Sequence, residues 1–465
     1  MKKAAILTLG PYLAVFTLLT VFSLHMPFFW DSIQLGSRQA GFFLNAGYHS
    51  LILPNEIDSG HFPLFGLYLS IIWNFFGENI PVSHIALLPI LLGLCFQYYK
   101  LAIKFIKPGY IHFAMLLLVA DPVVLSQSTM VGPDIVLLFL FLASVNLLLE
   151  NRKWLYAITI GFLALISMRG MMTVFGLFLF EILVSLVKKE RLRIGIITKY
   201  IPAGLLSLSW LMYHYKETGW IGYYPGSTWA ACFVRVPPMG VLKNIVILFW
   251  RLLDFGRVFV WLLGLICFIK AFRNSKEGEK GSLTLVTLFI VILAVYIPSF
   301  ILYAGLGAHR YLMPCMVLVG LGSVYFMQMA NPGKLKNISF ILVFIGLVSG
   351  NFWVYPGGVS EGWDATLAHV PYFELRKQMI TYINENHIDP KTVGTAFPNI
   401  DGTRYSDLNS TIGPFKHYDL SKDKYIFQSN IFNDFHTQQI DSLKQYWTLK
   451  QEYRRCGIYV RLYSH

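Results

Sequence analysis

The sequence predicts a mainly α-helical protein that crosses a membrane many times and ends in a small α/β domain outside the membrane. Three observations lead to this fold class. Of the 465 residues, 55% are hydrophobic and only 14% are charged, whereas soluble domains have roughly 25% charged residues. Several nearly uncharged runs of about 18 or more residues can each cross a hydrocarbon core of roughly 30 Å. Polar residues return only after about residue 356.

The distribution of charge predicts the topology. The net charge is +13, yet residues 1–359 contain 26 basic and 13 acidic residues, and the rest of the chain contains 12 of each. The basic residues of the first part cluster on every second loop, which the positive-inside rule assigns to the cytoplasm, so we read the charge as topology and predict no nucleic-acid partner. The clusters are Lys2 and Lys3; Lys100, Lys104 and Lys107; Arg152 and Lys153; Lys188, Lys189, Arg191, Arg193 and Lys199; Lys270, Arg273, Lys276 and Lys280; Lys334 and Lys336.

About eleven spans follow, with the amino terminus inside and the carboxyl terminus outside. The basic start of the chain resembles a signal peptide, but its apolar run is too long and no A-x-A-like site closes it, so we predict an uncleaved first span. The predicted spans are Ala4–Leu24, Pro81–Ile106, Tyr110–Gln127, Asp134–Leu149, Trp154–Ser167, Met171–Val187, Tyr200–Tyr213, Arg257–Phe272, Leu283–Leu306, Tyr311–Met329 and Ile338–Tyr355.

The predicted membrane domain is residues 1–355, with outer loops at 25–80 and 214–256. Within the second loop, Val241 to Phe255 has the pattern of a helix lying at the membrane interface. The predicted outer domain is residues 356–465. It contains one amphipathic helix, FELRKQMITYINENHIDP, and three short strands, KTVGTAF, KYIFQSN and CGIYVRLYS. Of the five cysteines, Cys232 and Cys456 fall on the outer side and could pair.

Ionisable residues at the outer side are the candidates for function, because charges at a membrane are costly and need a reason. No comparable set converges on the inner side. Carboxylates mixed with cations suit a site that binds an anionic, membrane-borne substrate and removes a proton from a second substrate. The candidates are Asp31, Asp58, His61, Asp121, Asp134, Arg169, His309 and Arg310.

Four of these features together resemble a known class of enzymes. Asp31 lies in the first outer loop, followed by GHFPLFGLYLSIIWNFFG from Gly60, MVGPDIVLLFLFLAS from Met130 and HRYLMP from His309. Their order, with about eleven spans and a small outer domain, is similar to the GT-C glycosyltransferases. Within that class the chain is most similar to the protein mannosyltransferase and aminoarabinose transferase (ArnT-like, family 39-like) branch. The resemblance covers roughly residues 1–355.

The resemblance implies an inverting transfer of a sugar from a polyprenyl-phosphate donor to an acceptor hydroxyl at the periplasmic face of the inner membrane. Asp31 matches the family's first-loop carboxylate and would be the general base. Arg310 is the first choice for complementing the leaving phosphate, with His309 and Arg169 behind it. Asp134 matches a second outer acidic residue that orients the acceptor or a metal. The acceptor, a lipid, a glycan or a protein, is left open.

Two departures from the family pattern bear on the site. The family often has Asp-Glu in the first loop, whereas this chain has Asp31-Ser32, which puts a shared divalent metal in doubt, so we predict no certain cofactor. The usual His-Pro-Pro is here His61-Phe62-Pro63.

Each candidate also has a structural alternative. Asp31 could cap a helix beginning at Ser32, and Asp134 could favour a helix start through the helix dipole. Asp121 could satisfy backbone groups freed by the following proline. His61 could be a turn residue, and Arg310 could be an ordinary interface residue whose charge reaches water.

Two other functions stay open at the level of sequence. One is a transporter or flippase of lipid-linked saccharides, although no internal repeat is visible and the charges lie at one face. The other is a non-catalytic membrane scaffold that presents the outer domain. The assignment we expect is the glycosyltransferase.

Overall fold

Helices make up most of this chain, as the sequence predicts. The computed structural model describes residues 2–189, 194–227, 229–274, 280–330, 333, 335–356, 359, 362–400 and 402–465. The helices in these ranges are α1 (Lys2–Ser23), α2 (Gln39–Ala46), α3 (Leu64–Phe76), α4 (Ile80–Phe105), α5 (Ile111–Ala120), α6 (Pro122–Ser128), α7 (Pro133–Leu149), α8 (Lys153–Ile166), α9 (Met168–Val187), α10 (Ile194–Thr198), α11 (Ile201–Thr218), α12 (Pro238–Leu253), α13 (Arg257–Asn274), α14 (Lys280–Leu302), α15 (Met313–Ala330), α16 (Leu335–Gly350), α17 (Pro371–Glu385) and α18 (Thr437–Tyr446).

The helices identify a multi-pass membrane protein. By length and apolar composition, four helices in the described ranges can cross a membrane, and six can if each of two bent pairs forms one span. Five further apolar helices in the same ranges are 10–17 residues long. The count of about eleven spans and the assignment of loops to the two sides stay predictions. Arg191, Arg193, Lys276 and Lys334 of the basic loops lie outside the described residues, as do the side chains of Lys2, Lys3 and Lys280.

Two sharp bends bring polar residues into the helical part. Helix α6 follows α5 at 60°, with Asp121 between them, because Pro122 has no N–H to continue the α5 ladder. Helix α12 meets α13 at 85°. Gly256 in that bend has φ +79° and lies so close to the backbone of Gly346 that a Cβ would be 2.0 Å from its carbonyl oxygen. The helix predicted over Val241 to Phe255 corresponds to α12, which turns away from α13. Its position at the membrane interface stays a prediction.

The structure defines the surroundings of Arg169 and of two cysteines. Helices α8 and α9 meet at Ser167, and Arg169 lies beside this junction in the first turn of α9, which is capped by the Ser167 hydroxyl. Cys232 and Cys456, whose pairing the sequence left open, are both free thiols. The segment predicted as the first outer loop is more helical than a simple loop, since it holds a π-helix (Ile33–Arg38) as well as α2 and α3.

The polar carboxyl-terminal part forms a five-stranded sheet in the order β2-β1-β3-β5-β4. Strands β2, β1 and β3 run parallel, whereas β5 runs antiparallel to both of its neighbours, β3 and β4. The three predicted strands correspond to β1, β3 and β5 and the predicted helix to α17, while β2, β4 and α18 were not predicted. The strands are β1 (Val393–Thr395), β2 (Lys416–His417), β3 (Tyr425–Ser429), β4 (Thr448–Arg455) and β5 (Ile458–Ser464).

The carboxyl-terminal domain packs directly on the helical part. Phe29 from the first outer loop and Met130 from the turn before α7 are members of the apolar cluster that also holds Trp363 and the buried side of the sheet. The Phe28 N–H donates to the Ser406 carbonyl oxygen at 2.7 Å, and the Ser37 hydroxyl donates to the Tyr405 carbonyl oxygen at 2.7 Å. The residues around Asp31 are thus held from both parts of the chain.

Candidate active site

Arg310 lies at the centre of a cluster of carboxylates. It sits in a 3₁₀ turn, His309–Leu312, that leads into α15. Its Nη2 contacts Asp31 in the first outer loop, its Nε lies 3.1 Å from Oδ2 of Asp134, and its Nη1 contacts Asp364. Asp134 belongs to the first turn of α7, and Asp364 to a 3₁₀ turn after the last apolar helix. All three nitrogens of the guanidinium therefore face a carboxylate.

The three carboxylates differ in their access to solvent. The side chain of Asp31 is 31% exposed, while those of Asp134 and Asp364 are 5% and 8% exposed. Among the described hydrogen bonds, Asp31 caps no helix, since the local turn is closed instead by the Ser32 hydroxyl, which donates to the Phe29 carbonyl oxygen at 2.7 Å. The helix-capping alternative for Asp31 therefore has no bond to support it. Asp31 is the carboxylate of the cluster that an incoming molecule can reach.

Arg169 adds a second cation beside Asp134. Its Nη2 lies 2.5 Å from Oδ1 of Asp134, and its guanidinium carbon lies 4.0 Å from the centre of the Tyr311 ring. Asp134 thus bridges two arginines, one at each oxygen. With three aspartates and two arginines, the cluster has a formal charge of −1, so it is nearly neutral before any ligand arrives.

His309 faces away from the carboxylates around Arg310 and belongs to a second polar cluster, which includes Asp254 and Tyr355. Its Nε2 lies 2.8 Å from Oδ2 of Asp254, in the bend between α12 and α13. Asp254 also accepts from the Tyr355 hydroxyl and from the Phe255 N–H at 2.8 Å. On the other side of the ring, a Cβ at Gly362 would lie 2.6 Å from Nδ1, so only glycine allows the chain to pass this close. His309 therefore fixes the turn that carries Arg310.

Asp58 and His61 sit in the loop between α2 and α3 and have different partners. Oδ2 of Asp58 lies 3.0 Å from Nε2 of His214, at the end of α11, and both side chains are fully buried. This pair joins the segment between α2 and α3 to the end of α11. Burial lowers the pKa of His61 below its usual 6.5, while its hydrogen bond to the Phe62 carbonyl and the charge of Asp58 act in the opposite direction. The charges of Arg169 and Asp134 also act on this ring, the first lowering and the second raising its pKa.

Asp121 is held apart from Arg310. Its carboxylate accepts two hydrogen bonds from the fully buried Arg257, at 2.8 and 2.7 Å. Its Oδ1 also accepts from the N–H groups of Val123 and Val124, at 3.0 and 3.1 Å, and so caps α6. These contacts fit the alternative in which Asp121 satisfies the backbone beside a proline.

Two further points concern the chemistry near the cluster: the thiol of Cys232 and the question of a metal site. Burial raises the pKa of the Cys232 thiol, and the charges of Asp31 and Arg310 act on the same thiol. Within the ranges that the structure describes, no group of three or more His, Cys, Asp or Glu residues is arranged to hold a metal ion.

Four residues of these clusters were not among the sequence candidates: Asp364, Asp254, His214 and Arg257. Asp254 and Arg257 carried a usable signal, because both are charges at the ends of apolar helices, where a buried partner is needed. Asp364 and His214 carried none, since each lies in a polar stretch where an ionisable residue is ordinary.

Comparison with solved structures gives two crystal structures of ArnT from Cupriavidus metallidurans. One is bound to undecaprenyl phosphate; it shares 11% sequence identity with this chain, with a TM-score of 0.56 over 97% of each chain. The other is in the apo state and gives the same identity and TM-score over 99% of this chain and 98% of that chain. No known protein family and no curated protein matches the sequence. The predicted resemblance is confirmed as a likeness of fold along almost the whole chain.

Proposed function

We propose that this chain is an integral-membrane glycosyltransferase that moves a sugar from a polyprenyl-phosphate donor to an acceptor hydroxyl, with inversion, at the outer face of the membrane. The observation that carries the proposal is the contact between the partly exposed Asp31 carboxylate and the Arg310 guanidinium. A carboxylate can accept a proton, and a guanidinium can complement a phosphate. The fold supports the same activity, because one ArnT structure of this fold contains undecaprenyl phosphate.

Asp31 acts in this proposal as the general base. The acceptor oxygen forms a bond to the anomeric carbon of the sugar, and its proton passes to the Asp31 carboxylate. Asp31 suits this step better than Asp134 or Asp364, since its side chain is the most exposed of the three. General-base catalysis by a positioned carboxylate contributes roughly 10²- to 10⁴-fold to a rate.

Arg310 acts on the leaving group. The electron pair of the broken carbon–oxygen bond stays on the phosphate, whose charge becomes more negative by one. In the same step, protonation neutralises the Asp31 carboxylate that Nη2 of Arg310 contacts. The Nη2 group is then free to donate to the phosphate. Proton transfer and leaving-group stabilisation are then coupled through one guanidinium.

The remaining candidates shape this site. Arg169 supplies a second cation for the phosphate and, through Asp134, fixes the orientation of Arg310. His309 holds the turn before Arg310 through Asp254. His61 lines the site as a neutral ring, Asp58 joins the two outer loops through His214, and Asp121 caps α6.

The test is a transfer assay with purified protein in lipid vesicles. The protein is incubated with a polyprenyl-phosphate sugar and candidate lipid, glycan and peptide acceptors. We expect release of polyprenyl phosphate together with sugar attached to an acceptor, and loss of both in Asp31→Asn. The matched control is Asp441→Asn, which removes the same charge from a side chain that is 64% exposed in α18. Movement of intact donor across the vesicle without transfer would overturn the proposal in favour of a flippase.

A further inference from the structure

A buried segment of the carboxyl-terminal domain reaches the candidate active site. This segment, Trp363–His369, consists of two 3₁₀ turns, and six of its seven residues are buried. It packs against α6 and against the turn that carries Arg310. Its position between the helical part and the sheet means that both parts fix its backbone.

Asp364 is held in this segment by groups of the helical part. Its carbonyl oxygen accepts from the Gln127 side-chain amide at 2.9 Å. Its carboxylate contacts Nη1 of Arg310. The residue is thus bound at both its main chain and its side chain to the part of the chain that contains Asp31 and Asp134.

The three carboxylates hold the guanidinium from three sides, one at each nitrogen. Asp31 loses its negative charge, and with it most of its attraction for Nη2, when it takes up a proton. Without Asp364, Asp134 at Nε would be the one carboxylate of the cluster left on Arg310. The other described contact would be the hydrogen bond from Nη2 to the Tyr311 hydroxyl at 3.3 Å, which lacks a charge, so the orientation of the guanidinium would be less well fixed. With Asp364 in place, two buried contacts remain and define the plane of the guanidinium.

We propose that Asp364 is a positioning residue, which keeps Arg310 oriented toward the donor phosphate while Asp31 is protonated. The inference rests on the proposed function. It makes the carboxyl-terminal domain part of the active site, since one of the three anchors of Arg310 comes from that domain. Asp364 itself need not touch the substrates.

The test compares kcat and KM for the donor in the wild type, Asp364→Asn and Gln127→Met. Asp364→Asn removes the charge that anchors Nη1, and Gln127→Met removes the bond that anchors Asp364 without a change of charge. We expect kcat to fall roughly 10- to 100-fold in Asp364→Asn, because a small misplacement of a catalytic group costs about this much. We expect a smaller fall in Gln127→Met. The KM for the donor should stay equal or fall, because Asp364→Asn removes a negative charge that opposes phosphate binding.

The outcomes separate the two proposals. Absence of transfer by the wild type would overturn the proposed function. A wild type that transfers sugar, together with an Asp364→Asn variant of equal kcat, would overturn the positioning role alone. A merely structural role predicts a lower thermal midpoint and a higher KM with kcat per folded protein unchanged. If Asp364→Asn does not fold, an unchanged kcat in folded Gln127→Met counts against the inference.

Discussion

Oδ2 of Asp254 lies 2.8 Å from Nε2 of His309, the residue directly before Arg310. The contact connects the bend between α12 and α13 to the turn that presents the guanidinium. We expect Asp254→Ala to lower the free energy of unfolding by about 3 kcal/mol, because it removes the carboxylate partner of the fully buried His309. Thermal unfolding in detergent measures the change, with Asp441→Ala as the exposed control. An unchanged thermal midpoint would show that the contact between Asp254 and His309 contributes little to the free energy of unfolding.

Asp31→Asn should bind polyprenyl phosphate more tightly than the wild type, although it transfers no sugar. Removal of one unit charge at about 10 Å from a unit charge of the phosphate, in a medium with an effective dielectric constant of about 20, is worth about 1.7 kcal/mol, or roughly 15-fold in affinity. Titration with polyprenyl phosphate at constant salt measures this effect. Weaker binding by the variant would contradict the competition between Asp31 and the phosphate for Arg310.

Alkylation of Cys232 should block transfer, because the thiol lies within electrostatic range of Asp31 and Arg310. Burial raises the pKa of this thiol, so the reactive thiolate is scarce at neutral pH and the rate of inactivation should rise as the solution is made alkaline. The exposed Cys456 should be labelled without loss of activity. The control is Cys232→Ala, which should keep its activity under the same treatment; inactivation of that variant would place the sensitive thiol elsewhere.

Acid should weaken the carboxyl-terminal domain through His369. Burial lowers the pKa of this residue from 6.5 to about 4, and its ring stacks on Phe29 at 4.7 Å. Between these values the unfolded chain binds a proton that the folded chain does not. The free energy of unfolding therefore decreases as pH falls from about 6.5 to about 4, by roughly 3 kcal/mol in total.

Proteolysis of the carboxyl-terminal domain at pH 7 and pH 5 measures this effect. His369→Gln, which keeps a donor for the Thr366 carbonyl but does not titrate in this range, should show a smaller difference between the two pH values. An equal difference in the variant and the wild type would assign the acid sensitivity to other groups.

The helices were predictable from the sequence because long apolar runs have few alternatives to a span. The bend at Asp121-Pro122 was predictable as well, because a proline cannot continue the hydrogen bonds of the helix before it. Strands β2 and β4 were not predictable from the sequence, since β2 has only two residues and β4 is largely polar and exposed. Such strands are defined by their partners in the sheet and carry little pattern of their own.

Asp31, Asp134, Arg169 and Arg310 were all predicted as site residues from the sequence. The structure places these four side chains in one cluster. They could be proposed together because all four map to the same predicted side of the membrane. That criterion says nothing about which charges pair. Asp58 and Asp121 satisfy it equally, yet their partners are His214 and Arg257. Pairing depends on the packing of distant segments, as the contact between Arg310 and Asp364 also shows.

The position of β5 has a consequence for biogenesis. This strand lies inside the sheet, between β3 and β4, although it follows every other described element along the chain. The sheet of the domain that holds Asp364 therefore closes only when this strand has paired with both neighbours. A truncation before Ile458 should leave a membrane-inserted protein without transferase activity, and re-addition of residues 458–465 as a peptide should restore part of it. A truncated chain that is fully active would show that catalysis does not depend on the closed sheet.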